Sequence, residues 1–265
     1  MQLTVLTDTA VAPKWAPIRI AARQAFEDHI NEVPWVRSRK ARLLTPPGAN
    51  AKLAKGSMPI FGLTLAPAGA SGYQLCPWRS PECEQACLGI TSGRSRFSNV
   101  QQARIAKVHY LMNRPYQFFR QLYDELLAAS DKYGDNWAFR SNVLSDIPWE
   151  SVAPDIYEFT PHNYDYTKSF ARAVQSLDWD VADVRLTLSY SGHNWFDCRE
   201  YLTMGGNVAM VFNTKRKVDL PTHFEGFRVI DGDLSDFRWA DPQGCIVGLR
   251  AKGNIKPSPF VVHAG

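Results

Sequence analysis

Residues 59–87 read PIFGLTLAPAGASGYQLCPWRSPECEQAC: an apolar run from Pro59 to Ala66, a Pro67-Ala68-Gly69 break, then three cysteines. The run has the length and composition of a buried core strand, and the proline and glycine after it stop regular structure. Cys76, Cys83 and Cys87 follow at C-x6-C-x3-C spacing, in the loop that leaves this strand. Clustered thiols in a reducing compartment favour a metal or cluster site over disulfides. The remaining cysteines, Cys198 and Cys245, stand alone.

Outward from this stretch, short β-leaning runs alternate with longer helical ones. Strands are expected at 137–143, 156–159, 184–190, 207–212, 227–230 and 245–249. Helices are expected at 98–132, capped by Ser98 and divided at Pro115, and at 166–177 and 195–204. That alternation predicts an α/β fold with a largely parallel sheet, as a complete or partial β/α (TIM-like) barrel or, alternatively, a doubly wound open sheet. Residues 1–49 read as an N-terminal extension with a helix from Ile18 to about His29, and residues 50–265 as the barrel domain.

Of the 265 residues 45% are hydrophobic and 21% charged, which supplies a core and gives no sign of disorder. A net charge of +4 permits a phosphorylated or nucleic-acid ligand without demanding one. Arg37, Arg39, Lys40, Arg42, Lys52 and Lys55 form either a phosphate-facing strip or a solvated arm. No run of about 18 apolar residues is present to span a bilayer, and the start lacks the pattern of a secretory leader. A cytoplasmic protein without membrane association is expected; the sequence does not fix its oligomeric state.

Three thiolates can hold three irons of a [4Fe–4S] cluster and leave the fourth iron open to an exchangeable ligand. Zinc competes, with His109 as a possible fourth ligand, although structural zinc usually draws on tighter C-x2-C pairs. In a parallel barrel the loops after the strands converge on one ligand-binding face. Polar residues at the expected strand exits, namely Arg140, Asn142, Ser145, Ser189 and Asn213, are therefore candidates for cofactor contacts. Asp146 and Asp165 are candidate bases or nucleophiles and Lys168 a partner for an anionic substrate; for each, turn or cap duty is the competing role. Asp231-Gly232-Asp233, followed by Asp236 and Asp241, is acidic enough to suggest Mg²⁺ or Ca²⁺, but it lacks the ligand spacing and terminal Glu of an EF-hand loop and reads as turn-forming aspartates. Walker, Rossmann, G-x-S-x-G and H-E-x-x-H signatures are absent.

The segment from Asn50-Ala-Lys-Leu through Pro67-Ala68-Gly69 to Cys76-Pro77, Cys83 and Cys87 resembles the phage and plasmid gene product 88-like family. So do Arg140-Ser-Asn142, Ser145-Asp146-Ile-Pro-Trp149, Tyr164-Asp-Tyr-Thr-Lys168 and Gly248-Leu-Arg-Ala-Lys252-Gly253. This resemblance covers roughly residues 50–253 and implies little chemistry. A second resemblance is to radical S-adenosylmethionine enzymes, whose three cysteines follow the first strand of a β/α barrel, commonly at C-x3-C-x2-C spacing. Both gaps depart from that pattern here, and Ala86 replaces the aromatic residue that usually precedes the last cysteine. The resemblance implies a [4Fe–4S] cluster on Cys76, Cys83 and Cys87, S-adenosylmethionine on the open iron, and radical chemistry on a nucleotide, nucleic acid or small anionic substrate. Two rival readings remain. One is a zinc-containing barrel doing base exchange or glycosidic-bond chemistry on nucleic acid with Asp146 and Asp165, by analogy with transglycosylases that insert modified guanines. The other is a non-catalytic, zinc-stabilised binding module.

Overall fold

The computed structural model describes residues 13–37, 41–47, 58–91, 93–178, 184–214, 218–252 and 258–263. Asn50 to Leu53, Lys55, Arg39, Lys40 and Gly253 lie outside them. The first helix, α1 (Ala16–Ile30), precedes strands β1 (Leu44–Thr45) and β2 (Ile60–Leu63). The cysteine loop carries two short helices, α2 (Pro81–Gln85) and α3 (Leu88–Thr91), before α4 (Ser98–Asn113) and α5 (Pro115–Tyr133). Then come β3 (Ala138–Arg140), α6 (Trp149–Val152), β4 (Tyr164–Thr167), α7 (Phe170–Gln175), β5 (Arg185–Ser189), α8 (Trp195–Thr203) and β6 (Val208–Phe212). The series ends with β7 (His223–Phe224), β8 (Phe227–Asp231), β9 (Ile246–Arg250) and β10 (Val261–Val262).

The fold is mixed α/β. One sheet orders β1-β2-β3 and the other β4-β5-β6-β9-β8-β7; an isolated parallel bridge, Phe139 to Asn163, joins them. From β2 through β3, β4, β5, β6 and β9 to β8 every pairing is parallel, and β1 and β7 add antiparallel edges. Among the described residues no pairing closes the two ends into a barrel. β5 pairs with β6 only at Leu188↔Val208 and Ser189↔Ala209, and β10 takes over that edge at Val261↔Val211 and Val262↔Phe212.

Side chains alternate across a strand, and registered partners share a face. Leu63, Phe139 and Leu186 meet Trp15, Ile18, Phe119, Leu122 and Trp149 in one core, while Leu188, Val208, Met210, Phe212 and Ile246 meet Cys198, Tyr201 and Leu202 in another. Helices thus cover one face of the sheet, and α1 belongs to this layer through its packing on α5. The opposite face carries Ile60, Ala138 and Tyr164, against which Phe237 and Trp239 pack. There Asp236 accepts from Tyr164 and Tyr166 at 2.9 and 3.3 Å and pairs with Arg140 at 3.4 Å. The segment after β8 therefore crosses this face and floors it.

Three expectations need correction. Residues 156–159 are not a strand: Pro154 starts a 3-10 turn over Pro154–Tyr157, where its fixed φ suits a helical first turn. The strand lies later, at β4, so Asp165 sits within a strand and not at its exit. Ser98 does not cap α4: Phe97 holds the cap position without a side-chain hydrogen bond. Pro115 does divide the long helical stretch. Among the described residues no helix is long and apolar enough to cross a membrane.

Candidate functional site

The cysteine loop leaves β2 through a tight turn in which Ala68 adopts φ 46°. In that strained conformation its N–H reaches Cys76 Sγ at 3.3 Å, and the Cys76 thiol faces the Leu144 carbonyl at 3.6 Å. Ser80 then caps α2, its Oγ accepting from Cys83 N–H at 3.1 Å, with Pro81 at the first helical position. The Ile90 N–H donates to the Cys87 carbonyl at 3.0 Å, and the N–H groups of Gly89 and Ile90 lower the Cys87 thiol against the effect of burial. Gly89 is needed for its lack of a side chain, since a Cβ there would lie 2.8 Å from Leu144 Cδ1 and 3.1 Å from Pro67 Cγ. The three cysteines thus sit on short capped turns pressed against the loop after β3.

None of the three forms a disulfide, and all are half-buried. Burial pushes the Cys76 thiol up to about 11, and the nearby charges of Asp146, Cys87 and Cys83 add to the effect. Burial also raises Cys87, partly offset by its N–H donors and by Lys168. The charges of the three thiols therefore act on one another. No three His, Cys, Asp or Glu side chains among the described residues are gathered tightly enough to hold a single ion. His109 is exposed on α4 with its ring 5.8 Å from that of Tyr73.

A buried arginine braces the loop. Arg172 on α7 pairs with Asp146 and Glu150, donates to Thr167 Oγ1 at 3.1 Å and to the Ile147 carbonyl at 3.3 Å, and lies 5.1 Å from the ring of Trp78. Asp146 also accepts the Lys168 N–H at 3.0 Å. The loop reaches the exit of β5, where Ser80 Oγ donates to the Ser191 carbonyl at 2.8 Å and Glu82 pairs with His193 at 3.1 Å. Exits of β2, β3, β4 and β5 therefore meet at one end of the sheet, around the cysteines.

The other candidates divide. Lys168 and Asp146 stand beside the thiols, as their electrostatic influence on Cys87 and Cys76 requires. Asn142 and Ser145 fold the loop after β3: the Asn142 amide donates to the Ile147 carbonyl and accepts from Ile147 N–H and Ser145 Oγ. Arg140 lies on the helix-free face, 4.6 Å from the ring of Tyr166. Ser189 shares that face, and its carbonyl accepts from Asn194. Asn213 is exposed and meets His263 at 3.2 Å. Asp165 is only 1% exposed and shares the face of Phe139, where it accepts from Ser141 Oγ at 2.7 Å and from Tyr166 N–H. Burial raises its carboxyl to about 6, against the opposing pull of Arg140. Asp231 and Asp233 pair with Arg250 and Lys252, which supply their positive charge from the chain itself.

Sequence reasoning missed Arg172, which no motif marks, and it read Asp236 as a turn residue of an acidic run, whereas it receives Tyr164, Tyr166 and Arg140 under the sheet.

A family model described as Gene product 88 matches residues 36–264. No curated protein and no solved structure matches the chain.

Proposed function

The chain belongs to the gene product 88 family, and from that premise we propose that it is a phage-type enzyme holding a [4Fe–4S] cluster on Cys76, Cys83 and Cys87. The reaction proposed is of the radical S-adenosylmethionine type, on a nucleotide, nucleic acid or other small anionic substrate. The fold proposed is an open, partial β/α barrel whose mouth lies at the strand exits. One observation carries the reading: three half-buried cysteines without a disulfide, in the loop that leaves the first strand of the parallel series and meets the exits of the next three. A zinc ion about 2.3 Å from each sulfur would draw three thiolates together, whereas a cluster takes each on a different iron. Peptide N–H groups at Cys76 and Cys87 offset part of the cost that burial sets on thiolates there, and a metal bound to the sulfurs would supply the rest.

A cluster bound there supplies an electron and, at the iron without a cysteine, a position for the amino and carboxylate groups of S-adenosylmethionine. The chain's own residues orient and enclose. Arg172 and Trp78 hold the loop over the exits of β3 and β4, and Ser80 and Glu82 tie it to the exit of β5. Lys168 offers an ammonium to an anionic ligand, and Arg140 with Tyr166 lies deeper, against the Asp236 floor. Base exchange with a structural zinc draws less support, because Asp165 faces the helix layer while Asp146 is held by Arg172. Anaerobic reconstitution with iron and sulfide tests the proposal. A brown protein is expected that loses its colour and iron in the Cys76→Ala/Cys83→Ala/Cys87→Ala variant; colourless protein carrying one tightly held zinc would reject it.

A further inference from the structure

Arg172 is 7% exposed, and all its edges are spent. Its five N–H groups donate to both Glu150 oxygens, Asp146 Oδ1, Thr167 Oγ1 and the Ile147 carbonyl. A guanidinium held at every edge keeps only its faces for packing. Trp78 takes one of them, its ring centre 5.1 Å from the guanidinium carbon. Yet Trp78 is 38% exposed, whereas Trp15, Trp137 and Trp149 are buried. One ring face is thus seated on a locked cation, and the exposure falls on the other face and the edge. Lys168 stands beside this stack: its peptide N–H donates at 3.0 Å to Asp146, the carboxylate that Arg172 also holds. Its half-buried ammonium makes no hydrogen bond or ion pair among the described residues. An open aromatic face and an uncommitted ammonium therefore flank one carboxylate at the exits of β3 and β4.

The cation behind the ring decides what the open face receives. It draws π-electron density toward itself, so the outer face attracts a second cation less than a free indole does and an electron-rich ring more. A quaternary ammonium is thereby disfavoured and a nucleobase favoured, since every base presents such a face. The ammonium of Lys168 complements a phosphate. We propose that Trp78 is the stacking platform for the base of a nucleotide whose phosphate is taken by Lys168. This rests on the reading that the mouth at the strand exits receives the substrate, and it narrows that substrate to one carrying both a base and a phosphate.

The probe is a fluorescent aminopurine nucleoside monophosphate, whose emission is quenched when its base stacks on an aromatic ring. It is titrated into wild type, Trp78→Phe, Trp78→Leu, Lys168→Gln and Lys168→Arg, each with and without reconstitution by iron and sulfide. Quenched binding is expected in wild type and in Trp78→Phe. Trp78→Leu keeps an apolar side chain over Arg172 and should bind roughly tenfold more weakly, without quenching. Lys168→Gln should weaken the monophosphate and leave the unphosphorylated nucleoside unchanged, while Lys168→Arg keeps the preference for the phosphate. Wild-type affinity and quenching in Trp78→Leu, or no binding by folded wild type, would overturn the proposal whether or not a cluster assembles. Quenched binding that depends on both residues, in a protein that assembles no cluster, would support the platform and reject the cluster. S-adenosylmethionine that binds more tightly than the monophosphate, and equally to wild type and Lys168→Gln, would assign the ring to that cofactor's adenine and overturn the nucleotide assignment. If Trp78→Leu unfolds, the Lys168 pair decides: equal affinity of wild type for nucleoside and monophosphate would overturn the proposal.

Discussion

Arg172→Met is expected to destabilise the protein by about 3 kcal/mol. Removing one partner of a buried ion pair costs ~3–5 kcal/mol, because the other charge is left buried and unpaired. Here two carboxylates are stranded: Asp146, whose side chain is 9% exposed, and Glu150, which at 26% keeps part of its hydration and pulls the figure to the low end. Methionine fills much of the arginine stem's volume, so cavity formation adds little. For a chain of this size ~3 kcal/mol corresponds to a melting temperature lower by about 6–10 °C, followed by circular dichroism at neutral pH. If stranded charge is the cause, adding Asp146→Asn and Glu150→Gln to Arg172→Met should recover more than half of the loss. Arg172→Met melting within about 2 °C of wild type, or a triple variant no more stable than the single one, would refute the reasoning.

Asp165→Asn should gain stability relative to wild type as pH rises. Burial raises the folded-state carboxyl from 3.8 to about 6, so wild type is least penalised below the unfolded value and loses stability as pH climbs through that window. Equal pH dependence of the two proteins in urea unfolding between pH 4 and 7 would count against this. Gly89→Val should cost about 1–3 kcal/mol by overpacking against Leu144 and Pro67, and also lower the iron retained by reconstituted protein; unchanged melting and iron content would argue against the close approach. Ser80→Ala removes the cap of α2 and the bond to Ser191. It should cost roughly 1 kcal/mol and increase protease cleavage between residues 76 and 87; cleavage at the wild-type rate would contradict that role.

Much of the parallel series was legible because β2, β6 and β9 are apolar runs, and β5 and β8 set β-leaning apolar residues among polar ones next to turns. β4 was not. Its Tyr-Asp-Tyr-Thr sequence carries a carboxylate that is tolerated inside a sheet because Ser141 and the Tyr166 N–H donate to it and Arg140 pairs with it at 3.8 Å, and those partners are set by tertiary structure. Ile156 and Tyr157 look like strand residues, yet they serve the helical layer behind Pro154. The triad could be read from spacing alone. The bracing by Arg172 could not, since it reaches the loop from α7, a segment distant in sequence.

The change of partner along β6 bears on the order of assembly. The strand edge that β5 abandons at Ala209 waits for Val261, synthesised after every other strand described here. The residues just before it close on the loop at Gly192, where a Cβ would lie 3.1 Å from Phe260 N, and the neighbouring Ser191 holds Ser80. This late segment is thus a wedge behind the cysteine loop's far anchor. On a growing chain the three thiols emerge early and this anchor is supported late, so the cysteine loop stands for an interval in synthesis without its far support.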